Sequence, residues 1–317
     1  MPSRTTSPHA NVARLGKSRR REMPSRATFR RDPHPMPLAS LTAELKRAQR
    51  ERYAVPLFDA CDTQSAEGML SAAEEKRAPL IVGVYAGVMD QPNARALAAY
   101  LRVRAEEAAV PVSLMLDHGS SVQQCLTAVS FGFTDVMYDG SRLPLEENLA
   151  NTRAVVEAAH ASGVCVEAEL GHVGRGSEYQ SFGGLRKGFT DPDAVERFVA
   201  ETGVDFLAVA IGTAHGVYQG EPRLDLELLR AIRARVELPL ALHGGTGCSA
   251  EQFRDAIAAG IAKINVATEL FQTAAHRMSA TAKAEGASYF AFTRAATEAF
   301  RERCGYYLEL FGASGKA

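Results

Sequence analysis

Residues 204–216 read "VDFLAVAIGTAHG": eight residues that are apolar apart from Asp205, a Gly-Thr-Ala turn, and then His215 beside a glycine. A run this continuous is apolar on both faces, which suits a strand covered on both sides by helices rather than one facing water. Seven more such runs flank it: "YAVPLF" (53–58), "PLIVGVY" (79–85), "PVSLML" (111–116), "TDVMY" (134–138), "VCVEAEL" (164–170), "LPLALH" (238–243) and "AKINVA" (262–267). Between them lie segments such as "LDLELLRAIRARV" (224–236) and "AEQFRDAIAAG" (250–260), with apolar residues at helical spacing and often a glycine at the end. Eight strand-plus-helix units within about 230 residues predict an α/β fold, a (β/α)₈ TIM barrel. An open doubly wound sheet alternates in the same way. The remainder, "ELFQTAAHRMSATAKAEG" and "YFAFTRAATEAFRERCGYYLELFG", predicts extra C-terminal helices, whose aromatic residues suit packing or an interface.

The 317 residues are 46% apolar and 23% charged, with a formal net charge of −1, a balance that does not point to a nucleic-acid partner. No stretch of 18 apolar residues marks a membrane span. The five cysteines are scattered without a C-x-x-C pair and suit reduced thiols, hence a cytoplasmic setting. Charge is uneven at one end: residues 1–35 hold nine Lys/Arg against Glu22 and Asp32. This basic, Ser/Pro-rich extension has too little apolar surface to fold alone and is expected to be disordered, with the barrel domain spanning 36–317.

In such a barrel the C-terminal ends of the strands converge on one face. Three histidines fall there: His118 in "LMLDHGS", His215 in "AIGTAHG" and His243 in "ALHGGTG". One histidine alone suits an ordinary loop position, but three at corresponding strand ends form a sufficient ligand set for a divalent metal such as Zn²⁺. Asp117 precedes His118 and is placed for proton transfer beside an open metal position. Asp139, Glu167 and Glu169 end strands four and five, where a carboxylate can orient an imidazole, bind a second metal or pair with a base. Glycine-rich turns at Gly216 and Gly244–Gly247, with Thr246, Asn265 and Thr268, suit an anion after the last strands.

With these residues assembled, the chain from about Met36 resembles the class II, metal-dependent ketose-bisphosphate aldolases, of the tagatose-bisphosphate and fructose-bisphosphate type. The matching motifs are "YAVPLFD", "LDHG", "VMYDGSRLPLEEN", "VEAELG", "AVAIGTAHGVY", "LPLALHGGTG" and "AKINVATEL", in family order. The resemblance implies that His118, His215 and His243 hold one catalytic Zn²⁺ and that Asp117 is the general acid and base. It implies that Gly216, Gly245, Thr246, Asn265 and Thr268 bind the dihydroxyacetone-phosphate half of a sugar phosphate, with a monovalent cation near the phosphate. It also implies a homo-dimer or homo-tetramer. Three positions depart from the family: Phe271 where a basic residue grips the distal phosphate, Asp59 in place of Asn after Phe58, and "GRGSE" (174–178) where the mobile loop carries its acid, so that either Glu178 replaces that acid, shifted by a residue, or the acid is absent. Arg142, Arg175, Arg186 and Lys187 are the cations available for the distal end. The expected function is cleavage of a ketose 1-phosphate or 1,6-bisphosphate. The alternatives are an aldolase for another acceptor, such as a non-phosphorylated aldehyde or a deoxyketonic acid phosphate, and a metal-binding relative without catalysis.

Overall fold

Each of the eight apolar runs contains a strand: β1 Val55–Asp59, β2 Leu80–Tyr85, β3 Val112–Gly119, β4 Asp135–Tyr138, β5 Cys165–Leu170, β6 Phe206–Val209, β7 Leu240–Leu242 and β8 Ile261–Asn265. This computed structural model describes residues 38–176, 188–218, 220 and 222–317, which belong to one compact unit, Pro35–Ala317. The basic extension, Glu178, Arg186 and Lys187 lie outside the described residues. Nearly every strand residue is buried, as strands walled by helices must be.

The strands are parallel, pair in sequence order and close on themselves. Closure is made by β1 and β8, where Leu57 lies opposite Asn265, so the sheet is a barrel and not the open doubly wound alternative. Helices α1 Thr42–Glu51, α2 Thr63–Lys76, α3 Ala86–Met89, α4 Ala94–Glu107, α5 Val122–Ser130 and α6 Leu145–His160 are followed by α7 Pro192–Thr202, α8 Leu226–Arg233 and α9 Ala250–Ala258. Local chemistry sets several of their ends. Asp62 accepts from the Ser65 backbone in a capping box that starts α2, and Ser249 does the same with Gln252 for α9. Asp191 caps α7, which has Pro192 at its first position and stops at Gly203 with φ +71°. No helix among the described residues is long and apolar enough to cross a membrane.

The expected C-terminal helices are α10 Thr268–Ala282 and α11 Tyr289–Leu310. Of their aromatic residues, Phe300, Tyr307 and Phe311 are buried while Phe290 and Tyr306 are exposed. α11 lies against α2 at a close crossing made possible by Gly68, where a Cβ would sit 2.6 Å from both the Thr297 carbonyl oxygen and the Phe300 Cβ. Backbone cannot retreat as a side chain can, so Gly68→Ala is expected to destabilise the fold by about 1–3 kcal/mol. A chemical-denaturation midpoint unchanged from wild type would show that α11 is not held this tightly.

Candidate metal and active site

A cavity of about 680 Å³ opens at the C-terminal end of the barrel, and His118 and His215 line it. His243 is fully buried beside them. The ring centroids of His118 lie 4.6 Å from His215 and 4.7 Å from His243. One nitrogen from each ring falls within 4.8 Å of the others.

Hydrogen bonds decide which nitrogen that is. His118 Nδ1 meets Asp139 Oδ2 at 2.8 Å, His215 Nδ1 donates to the Val173 carbonyl at 3.2 Å, and His243 Nε2 meets Glu167 Oε1 at 2.6 Å. Each outer nitrogen is thus committed to an acceptor. His118 Nε2 and His243 Nδ1 face each other at 2.9 Å, and His215 Nε2 is buried without a hydrogen-bond partner. Three imidazoles with their second nitrogens turned inward, each ring backed by an oxygen acceptor, fit a divalent ion with an open coordination position once His118 gives up its proton.

Asp117 and His118 both line the cavity, although neighbours on a regular strand point to opposite faces. A register shift between Leu116 and Gly119 resolves this, with His118 in the left-handed region at φ +53°. A non-glycine residue held there is strained, a cost commonly met at functional sites. The bulge turns the Asp117 side chain and the His118 imidazole to the same side.

The electrostatics follow from burial and carboxylates. Burial alone would lower the His118 pKa, but the charge of Asp117, the hydrogen bond that His118 donates to Asp139 and the charge of Glu169 raise it to about 10. Burial and the neighbouring His118 push His215 down to about 4, and burial with the charges of Lys263 and His118 takes His243 well below its usual value. Asp139 is held well below the carboxylate range because His118 outweighs the opposing effect of burial. Glu169 is pushed up to about 8 by burial and by Asp139; its Oε1 accepts from the Val173 backbone at 2.8 Å. His118, Asp139 and Glu169 form a second cluster with metal-ligand spacing. Asp59 lies against Asp117, and burial together with that neighbour raises it well above the usual range.

Gly216, Gly245, Thr246, Asn265 and Thr268 line the same cavity. Gly216 has φ +86°, and Thr268 is the first residue of α10, so a helix N-terminus borders the cavity. The Gly245 N–H already donates to the Asn265 carbonyl at 3.3 Å. Asn265 Nδ2 donates to Asp117 Oδ1 at 2.8 Å, and its Oδ1 accepts from Lys263 Nζ at 2.7 Å. Lys263 also pairs with Glu167 Oε2 at 2.8 Å, both side chains being fully buried. Sequence reasoning missed Lys263. Its signal was a lysine inside an otherwise apolar strand, "AKINVA", which a buried carboxylate elsewhere in the barrel has to match.

Fold and site together are those of a barrel lyase of the aldolase type. The sequence profile described as "Fructose-bisphosphate aldolase class-II" matches residues 39–316, and the chain belongs to that family. It is 41% identical over 292 residues to 6-phospho-5-dehydro-2-deoxy-D-gluconate aldolase of Halalkalibacterium halodurans, covering 89% of this chain and 99% of that protein. It is 39% identical to a probable fructose-bisphosphate aldolase of Bacillus subtilis, covering 89% and 100%. Among solved structures, the YdjI aldolase of Escherichia coli K12 superposes with a TM-score of 0.78 at 33% identity, covering 88% of this chain and 99% of the other.

The inward nitrogens give a measurable expectation. Apo-protein titrated with Zn²⁺ should take up about one ion per chain tightly and release protons as His118 gives up its own, and His215→Ala should weaken that binding by about 10- to 100-fold. Zn²⁺ affinity unaltered in the variant would remove His215 from the ligand set.

Proposed function

We propose that this aldolase is Zn²⁺-dependent and reversibly cleaves a ketose 1-phosphate to dihydroxyacetone phosphate and an aldehyde that carries no distal phosphate. The observation that carries this reading is the convergence of three inward imidazole nitrogens beside Asp117 in one cavity. His118, His215 and His243 hold the ion, whose chemistry is Lewis-acid stabilisation of negative charge developing on the ketose oxygens. Three imidazoles suit zinc better than the hard, oxygen-seeking cations.

The chain's own groups do the rest. Asp117 accepts the proton of the C4 hydroxyl as that oxygen becomes the carbonyl of the departing aldehyde, the C3–C4 bond breaks, its electron pair stays on the three-carbon half, and a proton taken up at C3 from solvent completes dihydroxyacetone phosphate. In synthesis Asp117 returns the proton. Asn265 keeps the carboxylate aimed by donating to Oδ1. Gly216, Gly245, Thr246 and Thr268 hold the 1-phosphate through backbone and hydroxyl donors and the start of α10. Asp117→Ala should retain the metal and the fold yet lose cleavage by on the order of 10²-fold or more; turnover equal to wild type would remove Asp117 from the mechanism.

The distal end argues against a second phosphate. Phe271 lines the cavity and packs edge-on against Phe300 with centroids 5.6 Å apart, so an aromatic ring occupies a position where the family places a cation. A charge-assisted phosphate contact contributes about 1.5–3 kcal/mol, roughly 10- to 150-fold in binding, and an apolar ring offers none. Phe271→Arg should raise kcat/KM for a 1,6-bisphosphate relative to the matching 1-phosphate. A wild-type preference of a hundredfold or more for the bisphosphate would overturn this assignment.

One observation favours a second reading. Arg142 and Arg175 line the cavity, and among the described residues neither has an ion-pair partner. A carboxylate on the acceptor would engage them, and the relative named 6-phospho-5-dehydro-2-deoxy-D-gluconate aldolase is named for an acid. Turnover of dihydroxyacetone phosphate with a panel of neutral, carboxylated and phosphorylated aldehydes separates the readings by rank order.

A further inference from the structure

Lys263 sits in the middle strand of the closure, level with Ala241 on β7 and Val55 on β1, and its side chain is fully buried inside the barrel. An ammonium there needs an anion and acceptors, or its desolvation goes uncompensated. It finds two. Nζ lies 2.8 Å from Glu167 Oε2 on β5 and 2.7 Å from Asn265 Oδ1, two residues along its own strand.

Each of these partners in turn holds a group at the cavity. Glu167 Oε1 meets His243 Nε2 at 2.6 Å; Asn265 Nδ2 donates to Asp117 Oδ1 at 2.8 Å. The chemistry of the two hand-offs is directional. Lysine offers donors only, so the Asn265 oxygen must face Lys263 and its NH₂ must face Asp117. Turned over, the amide would present oxygen to a carboxylate. On the other arm, the ion pair holds the Glu167 carboxylate so that its second oxygen takes the N–H of His243 at Nε2, which leaves the Nδ1 lone pair facing inward.

We propose that Lys263 is a positioning residue that sets two groups at once: through Glu167 it fixes which nitrogen of His243 faces the metal position, and through Asn265 it fixes the carboxylate of Asp117. Lys263 touches neither substrate nor reacting atoms. The inference rests on the reading of Asp117 as the proton carrier and of the histidines as ligands, and its test includes measurements that need no turnover.

The test compares Lys263→Met, Glu167→Gln and Asn265→Ala by ¹⁵N-histidine NMR of the metal-free protein, Zn²⁺ titration, and steady-state turnover of dihydroxyacetone phosphate with an aldehyde at saturating Zn²⁺. Lys263→Met should replace the single Nε2–H signature of His243 by a mixture, raise the Kd for Zn²⁺ by about 10- to 100-fold, and lower kcat by on the order of tenfold with KM little changed. Asn265→Ala should lower kcat and leave the His243 signature and Zn²⁺ affinity as in wild type. Glu167→Gln should alter the His243 signature and Zn²⁺ affinity first. Because Lys263→Met strands a buried carboxylate and could prevent folding, the charge-matched Glu167→Gln/Lys263→Met double variant carries the same test; it should show the mixed tautomer and the loss of kcat, since neither the amide of Asn265 nor the side chain at 167 is then held. A folded Lys263 variant, single or double, with a lower Tm but wild-type tautomer, Zn²⁺ Kd and kcat overturns the proposal, because Lys263 would then be structural only. If Asp117→Ala itself keeps full turnover, the proton-carrier reading fails, while the tautomer and Zn²⁺ data still decide the Glu167 arm.

Discussion

A lysine and a glutamate cannot both be sealed inside a barrel unless they meet, and the contact between Lys263 and Glu167 is the constraint on which the site depends. Removing one charge would leave the other uncompensated in a medium of low polarity, at a cost of about 3–5 kcal/mol. The pair spans from β8 to β5, so it is made only when the barrel has closed. Burial raises the Glu167 pKa and Lys263 opposes that rise, while Glu167 Oε1 lies 2.6 Å from His243 Nε2. The same contact across the barrel thus joins β8 to β5 and places Glu167 against His243.

The second constraint is the irregular end of β3. Six consecutive residues of β2 and β3 pair in register from Leu80↔Val112 to Tyr85↔Asp117, but on the β4 side the pairing shifts between Leu116 and Gly119. Gly119 sits at the tightest point: a Cβ there would lie 2.5 Å from the Met137 carbonyl oxygen and 2.7 Å from Cys125 Sγ. A close approach to neighbouring backbone admits only glycine, and it gives β3 the kink that turns Asp117 and His118 into the same cavity. The "DHG" triplet is thus a backbone device as well as a pair of functional side chains.

How much of this was legible in sequence depends on whether a feature is local or made across the barrel. The eight strands were legible because runs such as "VDFLAVAI" carry their burial on every residue, and the strand ends of a barrel locate His118, His215 and His243 without any knowledge of contacts. Asp139 and Glu169 were legible as carboxylates at strand ends, though not that one would hold His118 Nδ1 and the other the Val173 backbone. The partnership of Lys263 with Glu167 was not legible, since nearly a hundred residues separate them and a charged side chain in an apolar strand shows that it needs a partner without showing which. Nor was the pairing of Asp59 with Asp117, which requires β2 to offer Gly83 beside β1: a Cβ on Gly83 would come within 2.5 Å of Asp59 Oδ1. The register that decides such contacts is set by closure, which no window of sequence contains.

Charge balance explains why the carboxylates surround the histidines rather than merely support them. Asp117, Asp139 and Glu169 together outweigh the burial of His118 and raise its pKa to about 10, while burial and the neighbouring positive charges lower those of His215 and His243. The cluster is therefore arranged for positive charge at its centre, and a divalent ion held there would meet His215 and His243 as neutral imidazoles and would displace a proton from His118. A dication interacts with these carboxylates more strongly than a single proton does, so the acidic residues that make His118 basic also favour the ion that replaces its proton. Asp139 is held well below the carboxylate range by that same imidazole, with its Oδ2 2.8 Å from His118 Nδ1, so the acceptor that backs His118 is an ionised carboxylate.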